Sequence, residues 1–197
     1  MLNTKLKIAT LSSVLLFTTT LSGCAQLLAS ASGTERVGKA SSERTLSQRI
    51  EDMSIERTAS INLYKVNPEV KNSHVVYMSF HSSVLIAGQV PNQLQKKQAE
   101  DVLREIGEVK TIHNELVVTP NISSYLSRAK DNVTQMQLGT KLTFLEGFPS
   151  SQAKILVEDG TVYLMAKLTK AQTNQAIDAI KTMPEITKVV KLVDYTD

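Results

Sequence analysis

Hydrophobic and polar positions follow the same order twice along this chain, once over residues 55–118 and again over residues 123–195. Each pass begins with apolar residues at helical spacing, followed by two strand-like runs, a second helical segment and a closing strand. The first pass predicts a helix from Ile55, strands 75–80 and 84–90, a helix 93–106 and a strand 112–118. The second predicts a helix after Ser123 or Ser124, strands 154–158 and 162–168, a helix 170–182 and a strand 189–195.

The first helix of each pass has a predicted buried side. In the first pass that side carries Ile55, Ala59, Asn62 and Leu63, with Ser54 as the N-cap and residues 66–68 as the helix end. In the second pass it carries Leu126, Ala129, Val133 and Met136. Asp159-Gly160 predicts a two-residue hairpin turn, because glycine tolerates the positive φ that such turns need.

This repeated order predicts an α+β fold of two tandem units, residues 45–119 and 121–197. Two amphipathic helices in each unit can cover one face of a three-stranded mixed sheet. The predicted core positions are Ile86, Val90, Leu103, Ile112, Leu116, Leu164, Leu168, Ile180, Val189 and Val193. Segment 139–149 is extra in the second unit and too apolar for a free loop, so it either covers the junction or presents a binding edge.

The first 23 residues have the layout of a secretory signal. Lys5 and Lys7 precede an apolar stretch over residues 8–21 that is too short and too polar for a membrane span. The stretch ends in Leu-Ser-Gly-Cys, which resembles the lipobox of bacterial lipoproteins. We therefore expect cleavage before Cys24 and acylation of its thiol. The alternative is an ordinary signal peptide with an incidental cysteine, although Cys24 is the only cysteine in the chain.

The residues after Cys24 predict how the protein is held. Residues 24–44 are rich in small and polar side chains, which is typical of a flexible tether. Ala25 follows the cysteine, and by resemblance to the usual sorting rule this favours the outer membrane over the inner. The expected location is thus the periplasmic side of the outer membrane.

Charge argues against a nucleic-acid partner. Lys5 and Lys7 belong to the signal, so 20 of the 22 basic residues remain after cleavage, against 19 acidic residues. Proteins that bind nucleic acid usually carry a strong basic excess.

The chain offers little that predicts an enzyme. Its three histidines are His74, His81 and His113, and they lack the close spacing of a zinc site. We found no nucleophile elbow, phosphate loop or dinucleotide fingerprint in the sequence. We therefore expect structural or surface roles for the histidines, no cofactor and no catalytic activity.

The ordered motifs resemble BON domains. They are Val84-x-x-x-Gly88-x-Val90, Ala99-x-x-x-Leu103 and Gly107-x-Val109-x-x-Ile112-x-Asn114. The second unit departs from this pattern, with Ala166 in place of the strand glycine and residues 183–186 in place of the Gly-Val turn. Signal, lipobox, tether and two such units together resemble the dual-BON outer-membrane lipoproteins. The resemblance implies two BON-like domains, anionic phospholipid binding and a role in envelope integrity.

We expect lipid contact mainly from the second unit. Its first helix places an amphipathic ring, Tyr125, one turn from Arg128, with Lys130 on the opposite flank, while Leu145 and Phe148 could add apolar insertion. The alternative is that Tyr125 packs at the junction between the units and the cations are simply solvated.

Two function classes follow. The first is an anchored module that binds anionic phospholipid. The second is a scaffold for outer-membrane assembly, cell-wall or division proteins that has no lipid binding of its own.

Overall fold

A computed structural model describes residues 44–197, which form one compact unit. The signal segment, Cys24 and nearly all of the tether lie outside the described residues. Within residues 44–197, every helix is too short or too polar to cross a bilayer.

The first half of this unit contains two helices and four strands. They are α1 (Leu46–Val66), β1 (His74–Phe80), β2 (Ser83–Val90), α2 (Gln93–Arg104), β3 (Thr111–Asn114) and β4 (Val117–Val118), with a 3₁₀ turn at Pro68–Asn72. The second half contains α3 (Tyr125–Thr143), β5 (Ala153–Glu158), β6 (Thr161–Leu168), α4 (Lys170–Lys181) and β7 (Lys188–Tyr195), with a 3₁₀ turn at Ser150–Gln152.

The strands form two separate mixed sheets of the same design. β1 and β2 are antiparallel, and β2 runs parallel to β3 and β4. In the second half, β5 and β6 are antiparallel and β6 runs parallel to β7. Val84 pairs with Ile112, just as Val162 pairs with Val189. The predicted α+β fold with two BON-like repeats is confirmed, and most predicted strand ends agree to within one residue.

Buried hydrophobic residues form three clusters, which lie between successive layers of helices and sheets. In each half, the helices cover one face of their own sheet. The third cluster joins the other two faces: Met78, Phe80, Leu85 and Ala87 of the first sheet meet Tyr163 and Met165 of the second. The two sheets therefore stack between outer pairs of helices, as expected when both faces of each sheet are apolar. All ten predicted core residues lie in the two helix–sheet clusters, seven fully buried and Ile112, Val189 and Val193 partly so.

The start of the first helix was predicted wrongly. α1 begins at Leu46, nine residues before Ile55, with Thr45 as its N-cap in a capping box with Gln48. Ser54 is therefore interior to the helix. The hydrophobic pattern did not predict the first turns of α1, because these turns bury the charged residue Asp52 and expose apolar residues. This arrangement is the reverse of an ordinary amphipathic helix.

The predicted buried stripe of α3 was also wrong. Leu126 and Met136 expose 79% and 73% of their surface, and Val133 is exposed as well. The buried residues are instead Asp131, Thr134, Leu138 and Leu142. Their intervals of three, four and four residues match those of Asp52, Ile55, Ala59 and Leu63 in α1. The N-cap is Ser124, which accepts from the Ser127 amide, and α3 runs on into the predicted insert.

The predicted closing strand of the first half is split in two. Asn114 ends β3, and its side-chain amide donates to the Lys96 carbonyl and to Glu100 of α2. Its oxygen accepts from the Leu116 amide, which turns the Leu116 side chain into the core. The asparagine of the BON-like motif thus connects α2 to the point where the closing strand is interrupted.

Candidate membrane-binding face and the adjoining cleft

The outer side of α3 and its C-cap residue carry five exposed apolar side chains. Tyr125, Leu126, Val133, Met136 and Phe144 are all exposed, the first by 79% and the last by 83%. The helix has 19 residues, so at 1.5 Å per residue the stripe extends about 28 Å. We call these five residues the α3 stripe. Its existence follows directly from the corrected helix orientation, because the residues expected in the core face outward.

The charged groups on α3 are mostly cationic. Lys130 and Lys141 are exposed, and Arg128 is half-buried. The one acidic residue of the helix, Asp131, is buried and accepts from the backbone amide of Asp159 at 3.1 Å. An exposed apolar stripe with cations and no exposed carboxylate on its own helix is typical of helices that lie in a membrane interface.

The predicted contact residues fall into two groups. Tyr125 and Lys130 are exposed, so the alternative in which Tyr125 packs at the junction is wrong. Phe148 exposes only 7% and belongs to the second core, against which Leu145 packs. These two side chains help to cover the sheet and are not presented to a membrane. Phe144 belongs to segment 139–149, which the sequence predicts either to cover the junction or to present a binding edge. It is the C-cap residue of α3, and its side chain is exposed.

A cleft of about 440 Å³ lies beside the stripe, between α3 and the strands β1 and β5. Its polar walls include His74, Arg128 and Glu158. His74 comes from the first half, and the other two come from the second. The cleft therefore lies at the junction between the two repeats.

A chain of hydrogen bonds crosses this junction. His74 Nε2 lies 2.9 Å from Glu158 Oε2, and the Gln89 side-chain amide donates to Glu158 Oε1 at 2.9 Å. The Gln89 side-chain oxygen in turn accepts from the Ser123 backbone amide at 3.2 Å. Glu158 is buried, and these two contacts satisfy both of its oxygens.

Arg128 stands at the open end of this chain. Its Nη1 lies 3.5 Å from His74 Nδ1, while its buried Nε has no hydrogen-bond partner. Within residues 44–197, no carboxylate oxygen lies within ion-pair distance of its guanidinium. An arginine held this way retains most of its donors for a ligand, and phosphate oxygens match guanidinium geometry well.

Gly88 explains how His74 reaches the junction. Its φ is +111°, and a Cβ at this position would lie 2.0 Å from the His74 carbonyl oxygen. Only glycine allows β1 and β2 to approach this closely. In the second repeat, Ala166 pairs with Ala153 in ordinary antiparallel register. The motif glycine of the first repeat is therefore tied to the placement of His74.

The other histidines lie elsewhere. His81 occupies the β1–β2 turn, and burial lowers its pKa. His113 lies in β3. Over the described part of the chain, no three His, Cys, Asp or Glu side chains gather in a way that could hold a metal ion.

Comparison with known proteins identifies the domain family of the first repeat. A BON domain model matches residues 58–120. The chain is 30% identical over 160 residues to the outer membrane lipoprotein DolP of Haemophilus influenzae, covering 80% of this chain and 81% of that protein. It is 23% identical over 159 residues to a 21 kDa hemolysin of Actinobacillus pleuropneumoniae, covering 77% and 78%.

Among solved structures, the C-terminal domain of CdsD is similar to part of the fold. CdsD is a structural protein of the type III secretion system of Chlamydia trachomatis. The match covers 70% of this chain and 96% of that one, at 9% identity and a TM-score of 0.31. A similarity this low carries no argument about function.

Proposed function

Since this chain belongs to the BON-domain family of outer membrane lipoproteins that includes DolP, we propose that it binds anionic phospholipid through the α3 stripe and its flanking cations. The protein is an outer-membrane lipoprotein that faces the periplasm. In this proposal acylated Cys24 supplies the anchor, and α3 supplies the contact that supports envelope integrity.

The α3 stripe is the observation that carries the proposal. Exposed apolar side chains along one helix gain about 25 cal/mol per Å² when they leave water. The cations Lys130 and Lys141 add roughly 1 kcal/mol each near an anionic surface. Together they favour a helix lying in the plane of the interface, with the rings of Tyr125 and Phe144 at head-group depth.

Vesicle flotation tests this directly. The full mature chain carrying Cys24→Ser would be mixed with vesicles of phosphatidylglycerol and phosphatidylethanolamine, or with neutral phosphatidylcholine vesicles. We expect salt-sensitive capture by the anionic vesicles only. The double variant Met136→Ser/Phe144→Ser should lose at least tenfold in affinity while its melting temperature stays within a few degrees of the native value.

A matched control comes from the first helix. Met53 and Ile61 of α1 are exposed apolar residues like Met136 and Phe144. The variant Met53→Ser/Ile61→Ser removes comparable apolar surface from the other repeat and should bind anionic vesicles like the native protein. Equal losses in both double variants would mean that α3 is not the contact.

One observation favours the scaffold function as a second candidate. α1 exposes Ile50, Met53 and Tyr64. Its exposed charges have both signs, including Arg49 and Glu51, which suits a protein surface better than an anionic bilayer. A photo-crosslinking side chain placed at Met53 or at Met136 in cells separates the two functions. Protein adducts from both positions, with no lipid adduct from Met136, would favour the scaffold.

A further inference from the structure

We infer that His74 of the first repeat is a positioning residue that holds Arg128 of the second repeat inside the cleft, and that protonation of His74 releases this arginine toward a lipid phosphate. The inference rests on the proposed function, because it concerns the control of the same binding face.

The two contacts of His74 are compatible with only one protonation state. A neutral imidazole with its hydrogen on Nε2 donates to Glu158 and accepts from Arg128 through Nδ1. Arginine cannot accept a hydrogen bond, so any hydrogen on Nδ1 removes this contact. The neutral ring therefore joins Glu158 to Arg128.

Protonation keeps one contact and breaks the other. The imidazolium still donates to Glu158, and the pair becomes an ion pair. On its other side, an Nδ1–H then points at the guanidinium across 3.5 Å, and two cations with only donors repel each other. The remaining charged or titratable groups in the cleft are Asp131 and Tyr125 of α3. Asp131 is already engaged by the Asp159 amide, and no carboxylate of residues 44–197 lies within ion-pair distance of Arg128.

Arg128 has little else to hold it once this contact is lost. Its Nε lacks a partner in the cleft, so leaving the cleft sacrifices no hydrogen bond at that atom. Tyr125, at the start of the α3 stripe, also lines the cleft. A released guanidinium can thus reach the end of the stripe, where a phospholipid phosphate would meet a bidentate donor.

This arrangement gives the first repeat a part in binding although it contributes no residue to the stripe. Gly88 allows β1 to approach β2 at His74, and His74 reaches across to both Glu158 and Arg128. Histidine side chains commonly change charge between pH 5 and 8, so acidification is the stimulus that this contact can sense.

The test is flotation of the full mature chain with Cys24→Ser on phosphatidylglycerol vesicles at pH 7.5 and 5.5. These head groups keep their charge over that range. We expect at least threefold tighter capture of the native protein at pH 5.5. His74→Gln should abolish the increase while its capture at pH 7.5 stays within twofold of native. His81→Gln and His113→Gln are matched controls, because the chain has three histidines, and both should keep the increase.

A second readout separates this inference from the proposed function. Hydrogen exchange at the buried Arg128 Nε–H, followed by NMR relative to the exposed Arg57, should accelerate at pH 5.5 in the native protein and not in His74→Gln. Equal native capture at both pH values, or a pH increase that survives in His74→Gln, overturns the inference and leaves the proposed function standing. If vesicles capture the native protein at neither pH, the proposed function fails. The Arg128 exchange rates then decide whether His74 holds the arginine.

Discussion

Asp52 and Asp131 occupy the same place in the two repeats, and each accepts a hydrogen bond from the backbone of the neighbouring hairpin turn. Asp52 Oδ1 accepts from the Ser82 amide at 3.4 Å and from the Ser79 hydroxyl at 2.7 Å, while Asp131 Oδ2 accepts from the Asp159 amide at 3.1 Å. A buried carboxylate on the first helix thus ties down the β-hairpin in both halves. The fold repeats this polar contact as well as its apolar ones.

The two turns differ in strain, and this predicts unequal effects of removing the carboxylates. His81 and Ser82 have φ values of +52° and +64° without being glycine, whereas in the second turn Asp159, at +47°, is the one such residue and is followed by Gly160. Left-handed backbone costs a residue with a side chain about 1–2 kcal/mol. We expect Asp52→Ala to lower the free energy of unfolding by about 1–3 kcal/mol and Asp131→Ala to cost less. Urea denaturation measures both.

A third variant checks that the first turn is strained. Adding Ser82→Gly to Asp52→Ala should restore about 1 kcal/mol, because glycine adopts positive φ without steric cost. If this double variant is no more stable than Asp52→Ala alone, turn strain is not what the carboxylate opposes.

Two glycines predict opposite results for the same substitution. Gly88→Ala would place a Cβ 2.0 Å from the His74 carbonyl oxygen at a φ of +111°, so we expect a loss of at least about 3 kcal/mol or failure to fold. Gly139 lies in α3, and its nearest neighbour would be Ile155 Cδ1 at 4.0 Å. Gly139→Ala should therefore stabilise the protein by about 0.5–1 kcal/mol. Thermal unfolding measures both variants. A higher melting temperature for Gly88→Ala than for Gly139→Ala would contradict this prediction.

Two leucines of α3 test the orientation of that helix. Leu138 is fully buried, so Leu138→Ala should cost about 2–5 kcal/mol. Leu126 is exposed, so Leu126→Ala should change stability by less than about 0.5 kcal/mol while weakening capture by anionic vesicles. Urea denaturation and vesicle flotation measure both variants. If Leu126→Ala were the more destabilising change, this orientation of α3 would be wrong.

Alkaline pH should destabilise the protein through a buried tyrosine. Unfolded tyrosine loses its proton near pH 10. Burial, with smaller contributions from Glu115 and Glu158, raises the pKa of Tyr163 to about 12. The contribution of Tyr163 to the free energy of unfolding should not change with pH below about pH 10. It should fall by up to about 2 kcal/mol as pH rises to about 12, because the unfolded chain releases a proton that the folded chain keeps.

The variant Tyr163→Phe isolates this contribution. Burial also raises the pKa of Tyr77, so part of the alkaline loss should remain in the variant. Urea denaturation at pH 9 and pH 11.5 would show a smaller loss for Tyr163→Phe than for the native protein. An unchanged loss would mean that Tyr163 ionises normally in the folded state.

Strands were predicted well because their signals are local. The Asp159-Gly160 turn and the apolar runs around it determine the β5–β6 hairpin within eight residues on either side. Such short patterns leave few alternative registers, since a shift of one residue would exchange the two faces.

The orientation of α3 could not be decided by periodicity alone. Leu126, Val133 and Met136 have the same helical spacing as the residues that are buried, so the helix has two candidate stripes. The buried one contains Asp131 and Thr134, which apolar patterns exclude. Asp131 is accommodated by an amide that comes from β-hairpin residue 159, a contact made only after folding. Alignment of the buried intervals of α1 and α3 is the one sequence signal that could have identified the correct side.

The junction was beyond sequence reasoning for a different reason. His74 and Arg128 are 54 residues apart in the chain, and Glu158 is 84 residues from His74. No spacing rule links residues in separate repeats. Their proximity depends on the stacking of the two sheets, which in turn depends on the third cluster of apolar residues.

The stacked sheets also limit how this duplicated chain could come apart. Tyr163 and Met165 of the second half shield Met78 and Phe80 from water. Each half by itself would therefore expose an apolar sheet face. A protease cut in the six-residue linker between Val118 and Tyr125 would leave two fragments that still adhere. Two molecules that exchange their halves would form the same sheet–sheet contact between chains. Domain swapping is therefore the assembly error to which this architecture is most prone.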